Sequence, residues 1–282
     1  APEAWDITAG DPAVKIAILD TGIECGSVEH AGKCVEEISF VEDFSIYHDD
    51  PGDYVGHGTH VAGIAAVHTN NGIGVSGVGW NSSLGNLKTC FAYEIDLLPP
   101  LGYYVIVGVC PVSSSADAIT HAADNGYHVI NMSYGSDELD GNGEPAGAPA
   151  QPNTETAAID YATTRGVVLV AAAGNDNNKN RVYPAANAGV IAVGATDHID
   201  DRASFSTYSQ EGDDWVSLMA PGQDIRHEGG DGDAQDGGGR GGGGDGGVGV
   251  ARGGIAGRAG RIGSGVGPVG SDLHGLPAPG RQ

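Results

Sequence analysis

Apolar residues along this chain come in short runs separated by polar, glycine-rich punctuation. "VKIAIL" (14–19) is a continuous β-branched run, the pattern of a strand buried on both faces. "LGNLKT" (84–89), "HVINMS" (128–133), "VVLVAAA" (167–173) and "VIAVGA" (190–195) also read as strands. "YYVIVGV" (103–109) is strand-like too, although it could belong to an insertion. Between these runs, "GTHVAGIAAVH" (58–68) reads as a helix of small residues. "SADAITHAADNG" (115–126) is a helix with Ser near its start and Gly126 as its stop, and "TETAAIDYATTRG" (154–166) is one ending at Gly166. Strands alternating with helices imply βαβ units, hence an α/β fold with a mostly parallel sheet covered on both faces. In such sheets the site lies beyond the carboxyl ends of the strands. Asp20, Ser133 and Asn175, each just past a predicted strand, are therefore the first candidates.

Asp20 closes the first run in "LDTG". A carboxylate there is rigidly placed and partly desolvated, which suits orienting a histidine. Aspartic proteases also use Asp-Thr-Gly, but they need two such loops in an all-β protein, and only one occurs here. His57, in "YVGHGTHVAG", sits at the mouth of the small-residue helix. Flanking glycines leave its ring accessible, and a helix N-terminus biases it towards the neutral form that a general base needs. A metal pair with His60 lacks the glutamate of H-E-x-x-H, so His60 is expected to face inward as a structural residue. Asn175, in "VVLVAAAGNDN", offers a side-chain amide that can donate to an oxyanion, although Gly-Asn after a strand is also a plain turn signal.

"AILDTGI", "GHGTHVAGIAA" and "VVLVAAAGNDN", in that order, resemble the subtilisin-like serine proteases. "APEAWDITAG", "DNGYHVINMSYGS", "YPAANAGVIAVGATD", "ASFSTYS" and "MAPG" extend the resemblance over residues 1–225. It implies a three-layer subtilisin-like fold and hydrolysis of peptide bonds in protein or peptide substrates. Asp20 would support His57 electrostatically. His57 would take a proton from a serine hydroxyl and return it to the leaving amine, with Asn175 holding the oxyanion. Ser133, Tyr134 and Gly135 match the extended segment that pairs with the substrate backbone. The resemblance also implies structural calcium. "HTNNGIGVSG" matches a family calcium loop, with the Asn71 side chain, the carbonyls of Thr69, Ile73 and Val75, and Glu29 as a distant carboxylate. A secreted monomer is expected. The Cys-containing "ECGSVEHAGKC" and the long segment around 91–113 depart from the family pattern.

Charge and cysteine count narrow the setting. The formal net charge is −24 with a sequence pI near 4.4. A surface so acidic repels nucleic acid and anionic membranes, and it suits bound cations or a salty medium. Cys25, Cys34, Cys90 and Cys110 form no C-x-x-C signature; their even count suggests two disulfides, with four free buried thiols as the alternative. Cys25–Cys34 with Cys90–Cys110 is the pairing in which each bridge spans a locally irregular segment, although spacing alone leaves the connectivity open. No membrane-span or signal-peptide pattern is present, and the first residues read as a mature N-terminus.

The chain changes character at residue 226. Residues 226–282 are Gly-rich and contain no aromatic and no Lys; their acids and arginines balance, which leaves the whole excess of acid on residues 1–225. The family places its serine in Gly-Thr-Ser-Met-Ala at a helix start beyond "APG". The corresponding place, near Gly241, lies inside "GGGRGGGGDGG". No Ser occurs between Ser217 and Ser264, and neither Ser264 nor Ser271 has that motif around it. The expected division is a peptidase domain at 1–225 without its serine helix, and a disordered Gly-rich tail at 226–282. A GC-rich coding region read out of register accounts best for the tail's palette, with an evolved low-complexity extension as the alternative; a glycine–aspartate calcium repeat fits poorly, because its sixth position is Ala234 and no nine-residue period follows. Without a hydroxyl beside His57 no acyl-enzyme forms, so this chain is expected to be inactive, or to be a pseudo-protease that binds extended peptides without cleaving them.

Overall fold

The computed structural model describes residues 2–41, 49–98, 103–137, 154–228, 234–236 and 260–261. In chain order the elements are α1 (Pro2–Trp5), β1 (Lys15–Asp20), β2 (Cys34–Ser39), α2 (His57–Ala66), β3 (Ser83–Lys88), β4 (Phe91–Leu98), β5 (Tyr103–Val109), α3 (Val112–Asp124), β6 (Val129–Met132), β7 (Ser136–Asp137), α4 (Thr154–Thr164), β8 (Val168–Ala172), β9 (Val182–Tyr183), β10 (Val190–Thr196), β11 (Leu218–Pro221), β12 (Arg226–Glu228), β13 (Ala234–Asp236) and β14 (Gly260–Arg261).

One seven-stranded sheet, ordered β11-β10-β8-β6-β1-β3-β2, organises the molecule. Each adjacent pair in it is parallel. The central strands are apolar on both faces because both faces are covered. In β1 the alternation is visible: Ala17 and Leu19 join one apolar cluster with α3 and α4, while Ile16 and Ile18 join the other with α2. The same split separates Leu87 from Leu84 on β3. The result is three layers, with α3 and α4 side by side on one face and α2 against β1 on the other. Among the described residues no helix is long and apolar enough to cross a membrane.

The buried runs form strands within a residue or two of their expected bounds. The strand at 103–109 does form, but outside the main sheet: β5 pairs antiparallel with β4, an element the pattern had not suggested. This hairpin accounts for the long 91–113 segment, and the Cys90–Cys110 disulfide closes its base. The other bridge, Cys25–Cys34, ties the turn after β1 to the start of β2. No free cysteine remains. Strand β2, "CVEEIS", escaped sequence reasoning because an edge strand is buried on few positions and tolerates charge. The described parts of 226–282 are short strands: β12 pairs with β13 and lies against α2, and β14 extends the hairpin beside β5.

Candidate active site

Parallel register places the candidate residues along one edge. Leu19 is level with Met132 on β6, and Met132 with Ala171 on β8. Asp20, Ser133 and the Gly174–Asn175 turn therefore emerge from three neighbouring strands at the carboxyl end of the sheet, where strands lie about 4.8 Å apart.

Asp20 is 1% exposed and ends β1. Its Oδ1 accepts the Thr21 N–H at 2.7 Å and lies 2.7 Å from Nδ1 of His57, whose side chain is 12% exposed. A carboxylate on Nδ1 makes that nitrogen the donor and assigns proton uptake to Nε2. His57 is the first residue of α2, and Gly58 lets the helix start this close to β1. A Cβ on Gly58 would stand 2.1 Å from the Gly22 carbonyl oxygen and 3.0 Å from Asp20 Cβ. His60, one helical turn on, is buried as expected.

Ser133 is buried at the end of β6, and its Oγ accepts a hydrogen bond from Asn131 Nδ2 at 2.9 Å. Tyr134 is also buried, within a polar network. Its hydroxyl lies 2.5 Å from Ser115 Oγ, and Ser115 Oγ donates to Glu155 Oε1 at 2.5 Å. Because that one serine proton goes to Glu155, the Tyr134 hydroxyl donates to Ser115. Burial pushes the Tyr134 phenol well above its ordinary value, and the Glu155 carboxylate adds to this. Burial likewise raises the Glu155 carboxyl, against the pull of the Ser115 hydrogen bond. Gly135 packs against β9. Asn175 is half-buried just past β8, next to Gly174, whose φ is 117°.

The proposed calcium ligands occupy one loop and one neighbour. Asn70, Gly72 and Gly74 all have positive φ, so the chain from 69 to 75 curls tightly. Ile73 N–H donates to Asn71 Oδ1 at 3.1 Å, and the Thr69 hydroxyl donates to the Gly77 carbonyl at 3.1 Å. Glu29 is fully buried with its carboxylate against this loop: a Cβ on Gly74 would fall 1.6 Å from its Oε1. Among the described residues there is no cluster of three or more His, Cys, Asp or Glu able to hold a metal. An ion at this loop would depend on one carboxylate with amide and carbonyl oxygens, a donor set that suits calcium.

Sequence reasoning missed three groups at this edge: Asp53, Lys88, and the Ser115–Glu155 pair. Lys88 ends β3 level with Asp20, is 1% exposed, and donates from Nζ to the Gly52 carbonyl at 2.6 Å. Burial lowers its pKa against the attraction of Asp53 and Asp50. Asp53 had a legible signal, an acid just upstream of a helix start.

The sequence model of the subtilase family matches residues 11–243. This chain belongs to the subtilase family. The match runs past Ile225 into the Gly-rich segment. This subtilase is 38% identical over 222 residues to the "Thermophilic serine proteinase" of Bacillus sp. (strain AK1), covering 79% of this chain and 47% of that protein. It is also 38% identical to "Thermitase" of Thermoactinomyces vulgaris, covering 79% of this chain and 67% of that one. The subtilase thus spans about half the length of the first relative. A solved structure described as a cold adapted subtilisin-like serine proteinase superposes with a TM-score of 0.58 at 25% identity, covering 86% of this chain and 73% of that one. The prenylagaramide maturation protease PagA, at 22% identity and a TM-score of 0.62, covers 89% of this chain and 75% of its own, and shares the fold.

Proposed function

We propose that this subtilase is built as a serine endopeptidase, in which Asp20 and His57 form the acid–base pair, Asn175 is the oxyanion donor, and Ser133, Tyr134 and Gly135 align the substrate backbone. The 2.7 Å contact between Asp20 and His57, at the carboxyl edge of a parallel sheet, carries this reading. Asp20 holds the imidazole with Nε2 as the basic nitrogen and stabilises the imidazolium that forms when a hydroxyl is deprotonated. An amide donor at the oxyanion contributes on the order of 2.7–4 kcal/mol; that range is the established value from a subtilisin, not one derived from this chain. Proteins or peptides are the substrates. Two disulfides suit a secreted protein, and we take it to act as a monomer.

The chain offers no serine in the family motif, and on this reading it lacks the nucleophile that would act with His57. A fluorophosphonate probe is therefore expected to leave the purified chain unlabelled, and a labelled band abolished by His57→Ala would overturn the inactivity. A second reading, a peptide-binding pseudo-protease, is favoured by the buried, hydrogen-bonded segment at 133–134. Calorimetric titration with an extended peptide separates the two: saturable binding supports the second reading.

Calcium is proposed at the 69–75 loop, held by the carbonyls of Thr69, Ile73 and Val75, the Asn71 side chain and the Glu29 carboxylate. The fit rests on the buried Glu29 carboxylate enclosed by that loop. A chelator is expected to lower the melting midpoint by about 5–10 °C, the scale set by ligand at a hundredfold excess over its dissociation constant. In Glu29→Gln the chelator should have little further effect. An equal chelator shift in both proteins would place the ion elsewhere.

A further inference from the structure

We infer that Asp53 is a positioning residue that holds the Asp20–His57 pair in register. Helix α2 starts without a side-chain cap from Gly56. Asp53 fills that role from outside the helix, using both carboxylate oxygens. Its Oδ1 accepts the Val55 N–H at 3.0 Å, the Gly56 N–H at 2.8 Å and the Thr21 hydroxyl at 2.9 Å. Its Oδ2 accepts the Thr59 N–H at 2.9 Å and the Thr59 hydroxyl at 2.8 Å.

The partners give the arrangement its meaning. Thr21 follows Asp20, while Gly56 and Thr59 bracket His57. Both threonines pass the connection on: Thr21 Oγ1 accepts the Gly58 N–H at 3.0 Å, and Thr59 Oγ1 accepts the Glu24 N–H at 3.0 Å. One carboxylate thus ties the end of β1 to the start of α2, and each hydrogen bond to an ionised acceptor is of the stronger kind. Its negative charge also lies at a helix N-terminus, where it is favoured. The charged groups facing it are Lys88, whose Nζ lies under the 50–54 loop, and Asp50, which is held by the Gly52 N–H and the Tyr54 hydroxyl. Asp53 reaches the pair only through the backbone and the two threonines.

The test uses proton NMR on the full chain. The unaltered protein is expected to show a low-field resonance from His57 Nδ1–H bonded to Asp20. In Asp53→Ala the exchange of that proton with water should rise at least tenfold, or the signal should vanish, while circular dichroism still reports a cooperative melt. Asp53→Asn, which keeps the shape but sets an amide N–H against backbone donors, should act in the same direction and covers the case in which the alanine variant fails to fold. Asp50→Ala, which removes a nearby charge but none of the tie, should leave the resonance as in the parent. A folded Asp53 variant with the parent's exchange rate overturns the inference, as does an equal effect from Asp50→Ala. The inference rests on Asp20 and His57 being a working pair: absence of the resonance from the parent would sink that reading, whereas its persistence in the Asp53 variants sinks only this one.

Discussion

Gly58→Val is expected to break the Asp20–His57 hydrogen bond and to destabilise the fold by about 3 kcal/mol, the upper part of the range for overpacking. The reason is local. The helix carrying His57 begins against the turn that follows Asp20, and any Cβ at position 58 meets the Gly22 carbonyl oxygen at 2.1 Å and Gly22 N at 3.1 Å. Those are backbone atoms, so no rotamer change relieves the contact. Gly22 itself has φ 114° and lies under Pro51 and Gly52, which leaves the turn no room to retreat. Valine must therefore push α2 outward, and His57 moves with it. Thermal melting should show a midpoint roughly 6–12 °C lower for a domain of this size, and the low-field His57 proton should be lost. A variant that melts with the parent and keeps that proton would show that the helix and turn are not packed as described.

Glu155→Gln is expected to flatten part of the pH dependence of stability and to make the protein more stable at neutral pH. Glu155 is 5% exposed, and burial raises its carboxyl. Well below the ordinary glutamate value of about 4.3, the group is protonated in both the folded and unfolded chain and carries no penalty. As pH rises past that value, the unfolded chain releases its proton while the folded chain still holds it, so the unfolded state gains. Stability from this site is thus complete at low pH and is lost as pH climbs towards the raised folded value, after which it levels off. Each unit of elevation corresponds to about 1.4 kcal/mol. Glutamine keeps an acceptor for Ser115 and cannot ionise, so its advantage over the parent should grow from pH 4 to pH 7. Denaturant unfolding at both pH values measures it. A constant difference between the two proteins would show that Glu155 ionises normally in the fold.

Much of the candidate site was legible because its residues sit in contiguous motifs at strand and helix ends. "LDTG" after a buried run and "HGTH" at a helix mouth mark Asp20 and His57, and the structure joins them. The hairpin β4–β5 was half legible. "YYVIVGV" has strand character, but "FAYEIDLL" interrupts its apolar positions with acids that an antiparallel, partly exposed ribbon tolerates. Tyr134 was assigned to the substrate segment from its neighbours alone. The polar network behind it depends on Ser115 of α3, 19 positions from Tyr134, and on Glu155 of α4, 40 positions from Ser115.

From its sequence alone this chain specifies an α/β fold, its family, and an aspartate and a histidine at the ends of a predicted strand and a predicted helix, whereas the structure settled which cysteines pair. The features legible in the sequence are written in local periodicity and in short motifs, both of which act over a few neighbouring residues. Only the tertiary structure decided that Asp53 spans the two motifs, that Lys88 is buried beside them, and that Glu155 keeps company with Tyr134. Each of those depends on which side chains meet across elements distant in sequence, and that is settled by packing of the layers rather than by any local pattern.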